Sequence, residues 1–192
     1  MHNTDLGSLM AVGAPILLVI VWFGVTYNHL VKLRNLVPES WSNVDTELRR
    51  RYELIPNLVK VVKGYTAHES QIMESVVAAR SKAMQACCGT DQQAREESDL
   101  VRSLRSLLAV AEGYPDLKAD QEFTNLQHEL VRTEDRIQAA RRFYNSNVRD
   151  LNTLIQSFPS SIIAGVFGFT RAKYYEIEEV FASQLSSITF SS

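Results

Sequence analysis

Leu6 to Tyr27, LGSLMAVGAPILLVIVWFGVTY, is an unbroken stretch of 22 residues without one charged side chain. Wound as an α-helix it reaches about 33 Å, enough to cross a hydrocarbon core of roughly 30 Å. No polar face interrupts it, which argues against a buried helix of a water-soluble core. A cleaved signal peptide needs a basic start and a small-x-small cleavage site. This chain starts MHNTDLGS, with neither Lys nor Arg, and the run ends in Trp22, Phe23 and Tyr27. The expectation is a retained membrane-spanning helix over 6–27, after a short extracytoplasmic N-terminus at 1–5.

The first basic residues come just after the run, at Lys32 and Arg34, with Arg49, Arg50 and Arg51 beyond them. The positive-inside bias then puts the N-terminus outside and the main domain in the cytoplasm. Trp22 and Tyr27 suit an aromatic belt at the inner interface, and Pro15 a helix that membranes tolerate with a kink. The two cysteines, Cys87 and Cys88, are adjacent, so the ring they could close is tiny and strained; they read as reduced thiols. A net charge of −2 argues against nucleic acid as a partner.

Beyond the run the pattern is helical. Leu30, Leu33, Val37, Trp41, Val44, Leu48, Tyr52, Ile55, Val59 and Val62 step by three or four and form one apolar stripe. Pro38 and Pro56 lie in it, and either could bend or break the helix. Gly64 is a further weak point, so residues 28–88 read equally as one kinked helix or two. Gly89-Thr90-Asp91 is a turn, Leu100 to Ala111 a short helix, and GYPDLKAD a loop around Pro115. Phe123, Leu126, Leu130, Thr133, Ile137, Ala140, Tyr144, Asn147, Leu151, Leu154 and Phe158 then alternate steps of three and four, a heptad seam that Pro159 stops. Its mixture of large and small residues favours a bundle of several helices over a two-stranded coil. The apolar run 160–169, with Ile162, Ile163, Val166, Phe167 and Phe169, is too short to span a bilayer. It packs on the bundle end or lies on the membrane surface. A helix from about Arg171 to Leu185 follows, with Tyr174, Ile177 and Phe181 on one side, and residues 186–192 form a flexible tail. The fold class is all-α: a transmembrane helix, then a bundle of several helices over 28–185.

Signatures of chemistry are missing. Di-metal helical bundles use Glu-x-x-His pairs, yet three residues before His29, His68 and His128 stand Thr26, Tyr65 and Asn125. There is no Gly-x-Ser-x-Gly and no phosphate-cradling loop. No cofactor, no metal and no catalytic residue is expected, and the chain reads as a non-enzyme. With Leu48 facing the core, Arg49 projects about 100° away, Arg50 about 200° and Arg51 about 60° on the other flank. Asp45 with Arg49 and Glu47 with Arg51 are spaced for weak surface ion pairs, and a solvated face is the plain expectation. The sharper alternative has Arg51 bridging to Glu134 on a neighbouring helix. Arg50 and Asn57, which point away from Leu48, are candidate partner contacts.

Residues 27–65, YNHLVKLRNLVPESWSNVDTELRRRYELIPNLVKVVKGY, and 112–159, EGYPDLKADQEFTNLQHELVRTEDRIQAARRFYNSNVRDLNTLIQSFP, closely resemble the two signature blocks of the LemA family. Gly168-Phe169 fits as well, while Glu53 and Asp120 stand where the family pattern often has Asp and Asn. The stretch 86–98 follows no pattern of the family. The resemblance implies a single-pass protein of a bacterial inner membrane, with no established enzymatic activity. It also implies that the cytoplasmic bundle is antiparallel, up-and-down and of four-helix type. Some such relatives are associated with internal membrane compartments, and others are encoded beside a membrane zinc protease. Two functions follow as expectations. One is a self-associating scaffold, a homo-oligomer that organises or remodels the inner membrane. The other is a binding module regulating a membrane partner, such as a protease.

Overall fold

The structure, a computed structural model, describes residues 3–66, 69–86 and 91–176; of residues 3–12 it describes the helix but not the side chains. Cys87 and Cys88, His68, the side chain of Leu6 and everything past Glu176 lie outside it. Among the described residues all regular structure is helical: α1 (Asn3–Tyr65), α2 (Ser70–Gln85), α3 (Asp91–Ala111), α4 (Pro115–Lys118), α5 (Gln121–Gln156) and α6 (Ser160–Val166). They fall into two compact units, one of residues 3–39 and 146–173, the other of 40–145 and 174–176.

The open question over 28–88 resolves, for the residues described, as two helices. α1 runs unbroken past Pro38 and Pro56 and ends at Tyr65, one residue after Gly64. Proline at 56 has no N–H to offer the carbonyl of Tyr52, four residues back. That carbonyl is instead reached by the guanidinium of Arg80 on α2, whose Nε donates to it at 2.7 Å. The helix thus keeps a partner for the acceptor that the proline orphans, and α2 gains a fixed point on α1. α2 packs against α3. The core of the second unit includes Val44, Leu48, Ile55 and Leu58 from α1, Val76 from α2, Leu100, Leu104 and Leu107 from α3, and Leu130 and Ile137 from α5, all buried.

The link between α3 and α5 departs from a plain loop. Pro115 opens the single turn α4, because the first helical position needs no N–H. α5 starts at Gln121, capped by Asp120, whose Oδ1 accepts from the Phe123 N–H at 2.9 Å while its Oδ2 accepts from the Tyr65 hydroxyl at 2.8 Å. These bonds, that of Phe123 first, hold the Asp120 carboxyl below its ordinary range, and the Tyr65 phenol is pushed up by the same hydroxyl contact.

In the first unit Leu30, Leu33, Leu151, Ile163, Ala164 and Phe169 form a small core. α6 ends in a reversal: the Phe169 N–H reaches the Ala164 carbonyl at 2.9 Å and Gly168 N–H that of Gly165 at 3.4 Å, with Gly168 at φ 68°. Only a residue without a Cβ takes that conformation cheaply, and it swings Phe169 back under the helix it has just left. The helix expected from Arg171 begins differently: residues 171–176 are not helical. They are held by asparagine amides instead. Asn152 donates to the Ala172 carbonyl and accepts from its N–H, both at 2.9 Å. In the other unit Asn145 does the same for Tyr175, at 3.0 and 2.9 Å. Tyr175, rather than Tyr174, is therefore the buried tyrosine. The heptad seam also stops earlier than its pattern: Phe158 lies past the end of α5 and is 82% exposed.

Arg80→Met should cost about 1.5–3 kcal/mol in urea unfolding, the usual worth of a charged hydrogen bond. In a Pro56→Ala background the same change should cost clearly less, since the new amide can take the Tyr52 carbonyl. A double-mutant cycle with no coupling would refute this account.

Candidate functional site

Two arrangements stand out, one in each unit. The first is the bare part of α1. Ile16, Leu17, Leu18, Val19, Ile20, Val21 and Val25 are 54–70% exposed, and Pro15 is exposed with them. Apolar side chains surround the helix on all sides, so no single face can be turned to water. Among the described residues this is the one helix long and apolar enough to cross a membrane. Burial begins at Thr26, half-buries Tyr27, and is complete by Leu30. The cover there comes from α6 and the turn after it: the Phe167 ring lies 5.9 Å from Phe23 and 4.8 Å from Tyr27, and Phe169 lies 6.0 Å from Tyr27. The run 160–169 thus divides by side. Ile163 and Phe169 are buried, whereas Ile162, Val166 and Phe167 are exposed. Trp22 is 40% exposed at the same end of the run.

The second is a buried charge cluster. Arg51 is 1% exposed, so the expectation of a solvated face fails for it. Its Nη1 donates to Glu134 Oε2 on α5 at 3.0 Å, and its Nη2 pairs with Glu97 on α3. Glu97 also accepts from the Tyr52 hydroxyl, and Glu134 from the Gln138 amide at 3.2 Å. Glu47 pairs with exposed Arg50 at 3.7 Å rather than with Arg51, because Arg51 turns inward. Asp45 and Arg49 meet on the surface at 2.8 Å. Arg50 and Asn57 are exposed and seven residues apart, which sets them on one face of α1. His128 is exposed as well.

Burial by itself would depress the Arg51 guanidinium; the charges of Glu97 and then Glu134 outweigh it and raise its pKa. Burial first, and Glu97 second, push the phenols of Tyr52 and Tyr175 far above their ordinary value. Tyr175 stands edge-on to Trp41 at 4.8 Å, and Trp41 is also edge-on to Tyr144 at 5.3 Å. The Tyr175 hydroxyl, Thr133 Oγ1 and Arg51 Nε are buried without a hydrogen-bond partner. An arginine thus occupies the place between two carboxylates from different helices. The arrangement is suited to fixing the register of α1, α3 and α5 rather than to binding a cation, and no group of three or more His, Cys, Asp or Glu gathers elsewhere among the described residues. Sequence reasoning missed Glu97, which lies in the stretch without a familiar pattern, and Tyr175. The two asparagines on α5 that hold the segment 172–175 gave no signal beyond being amides beside an apolar seam.

The sequence model described as the LemA family matches residues 40–190. The chain is 25% identical over 175 residues to magnetosome protein MamQ 2 of Paramagnetospirillum magneticum, an alignment covering 78% of this chain and 64% of that protein. It is 24% identical to magnetosome protein MamQ of Magnetospirillum gryphiswaldense, with the same coverage. Protein LemA of Metamycoplasma hominis is 23% identical, over 86% of this chain and 78% of that protein. The chain therefore spans a little under two thirds of the length of the magnetosome proteins, 64%.

Removing the cation from this cluster should be costly. Arg51→Met leaves two buried carboxylates facing each other and should lose about 3–5 kcal/mol of stability, much of it regained when Glu97→Gln and Glu134→Gln are added. The phenols predict an alkaline limit. A group whose folded pKa lies above its unfolded one holds its proton better when folded, so its contribution is complete below about pH 10 and is lost as pH rises beyond that. The fall should be steep, at most about 1.4 kcal/mol per pH unit for each phenol. Tyr175→Phe should flatten it in chemical-denaturation curves between neutral and strongly alkaline pH; an unchanged slope would contradict the assignment.

Proposed function

Because the chain belongs to the LemA family, we propose that it is a membrane-anchored, non-enzymatic helical scaffold that self-associates and organises or remodels the bacterial inner membrane. The observation that carries this reading is the apolar stretch of α1, exposed on every side from Gly13 to Phe23. Water would leave that surface uncovered at a cost of roughly 1.5–3 kcal/mol for each large side chain, and a bilayer covers it. Lys32 and Arg34 follow the stretch and no Lys or Arg precedes it, which supports an outside N-terminus and a cytoplasmic main domain. Relatives named as magnetosome proteins fit a role in membrane organisation.

The cytoplasmic part is an antiparallel bundle of four-helix type in this reading. Three pairings support it: Trp41 with Tyr144, Arg51 with Glu134 and Tyr65 with Asp120 advance along α1 as they retreat along α5. A second reading, a module that binds and regulates a membrane protein such as a protease, is favoured by one feature. A groove of 440 Å³ lined by Val59, Met73, Val77 and Ala78 leaves apolar surface open beside α2. Arg50 and Asn57 are further contacts in that case.

Reconstituted full-length protein should float with vesicles and stay with them through high salt and alkaline carbonate. In detergent it should elute as an assembly several times the mass of the 21.7 kDa chain. Release by carbonate would overturn the anchor. A strictly monomeric profile, with in-cell crosslinks to one other protein, would replace the scaffold by the regulatory module.

A further inference from the structure

We infer that α6 and the residues flanking it are a second membrane contact, a short foot set into the cytoplasmic interface of the bilayer beside the membrane helix. The inference rests on the reading of α1 as a membrane anchor and adds to it a definite depth. Phe23 and Tyr27 are one helical turn apart, a rise of about 6 Å, and both belong to the last part of the apolar run. The Phe167 ring contacts both, at 5.9 and 4.8 Å. Whatever depth the bilayer gives Phe23 and Tyr27 it therefore gives Phe167, and a ring held there stands at the hydrocarbon boundary. Its position is fixed from behind. Ile163, Ala164 and Phe169 are buried against Leu30, Leu33 and Leu151, and the Gly168 reversal closes the end of the helix.

Among the described residues nothing covers the other side of α6. Ile162 and Val166, one turn apart, are 59% and 73% exposed, and Phe158 precedes them on the surface. Ile162, Val166 and Phe167 are exposed on α6 and at its end, and Phe167 joins them to the bare helix through its contact with Phe23. That continuity selects lipid as the occupant. The basic groups are placed as an interface requires: Arg34 sits over the Phe169 ring at 5.1 Å, and Lys32 and Arg171 are exposed. Such side chains bury their stems against apolar surface and hold their charge among anionic headgroups. α6 has seven residues, too few to cross and enough to lie in the interface.

The test uses the full chain with Cys87→Ser and Cys88→Ser, carrying single cysteines labelled with an environment-sensitive fluorophore at Val19, Val166 or Gln92. It is reconstituted in phosphatidylethanolamine–phosphatidylglycerol vesicles containing lipids with a nitroxide near the top of the acyl chain. Val19 reports the anchor, and exposed Gln92 on α3 reports water. Val166 should be quenched by the lipid nitroxide at least about twofold more than Gln92, and shielded from aqueous iodide. Quenching at Val19 with none above the Gln92 level at Val166 overturns the foot and leaves the anchor standing. Absence of quenching at Val19 overturns both. A Val166 label shielded from iodide and untouched by the lipid nitroxide means that protein covers α6, a second copy or another partner, and this also overturns the proposal. Phe158→Glu with Val166→Glu, at two exposed positions, should lower iodide shielding of an Ile162 label while leaving the melting temperature of the detergent-solubilised protein unchanged.

Discussion

Hydrocarbon that none of the described residues covers is the constraint on which the rest of this molecule depends. Six consecutive residues, Ile16 to Val21, keep more than half of their surface open. Taking them out of water is worth on the order of 10 kcal/mol, comparable to the whole stability of a small domain. A helix in that position can hydrogen-bond its own backbone without help, which is why it is one of the few forms a bilayer accepts. The family, the bare helix and the basic residues after it all agree with a protein whose working environment is a membrane.

The water-exposed part of the chain solves a different problem, that of polar groups inside. Several of the polar groups buried there are met by a partner from another element. Arg80 supplies the donor that Pro56 lacks. Asn152 and Asn145 supply the amide pairs that a non-helical segment would otherwise leave open. Arg51 neutralises carboxylates from two helices. A buried pair of this kind contributes little net stability, since desolvation consumes most of the attraction, but breaking it is expensive. It acts as a registration pin: slide α3 or α5 by a residue and a charge is left alone in the core. The unpartnered Tyr175 hydroxyl and Arg51 Nε mark where that polar interior is satisfied least well.

The places where sequence reasoning failed have a common cause. For Arg51 the spacing with Glu47 on its own helix favours a solvated face, yet the structure has the sharper alternative, the bridge to Glu134; its second carboxylate, Glu97 on α3, gives no short-range signal. Local sequence leaves open whether Pro56 bends or breaks the helix, because its rescue comes from a side chain 24 residues further on. A helix begun at Arg171 puts Tyr174 on one side with Ile177 and Phe181, whereas residues 171–176 are not helical and the buried tyrosine is Tyr175. Phe158 continued the heptad arithmetic after the helix had ended. In each case a long-range contact or a change of backbone state overruled a local period.

Local periodicity and composition alone determined the all-helical class, the long apolar run near the N-terminus, the limits of α5 to within two residues and the apolar stripes, because each is set by side chains a few positions apart on one helix. The tertiary structure decided which charges are buried, which side of 160–169 is open and how the chain after Gly168 is held. Those outcomes depend on groups brought together from distant parts of the chain, and desolvation, which settles the energetics of every one of them, exists only once the helices have packed.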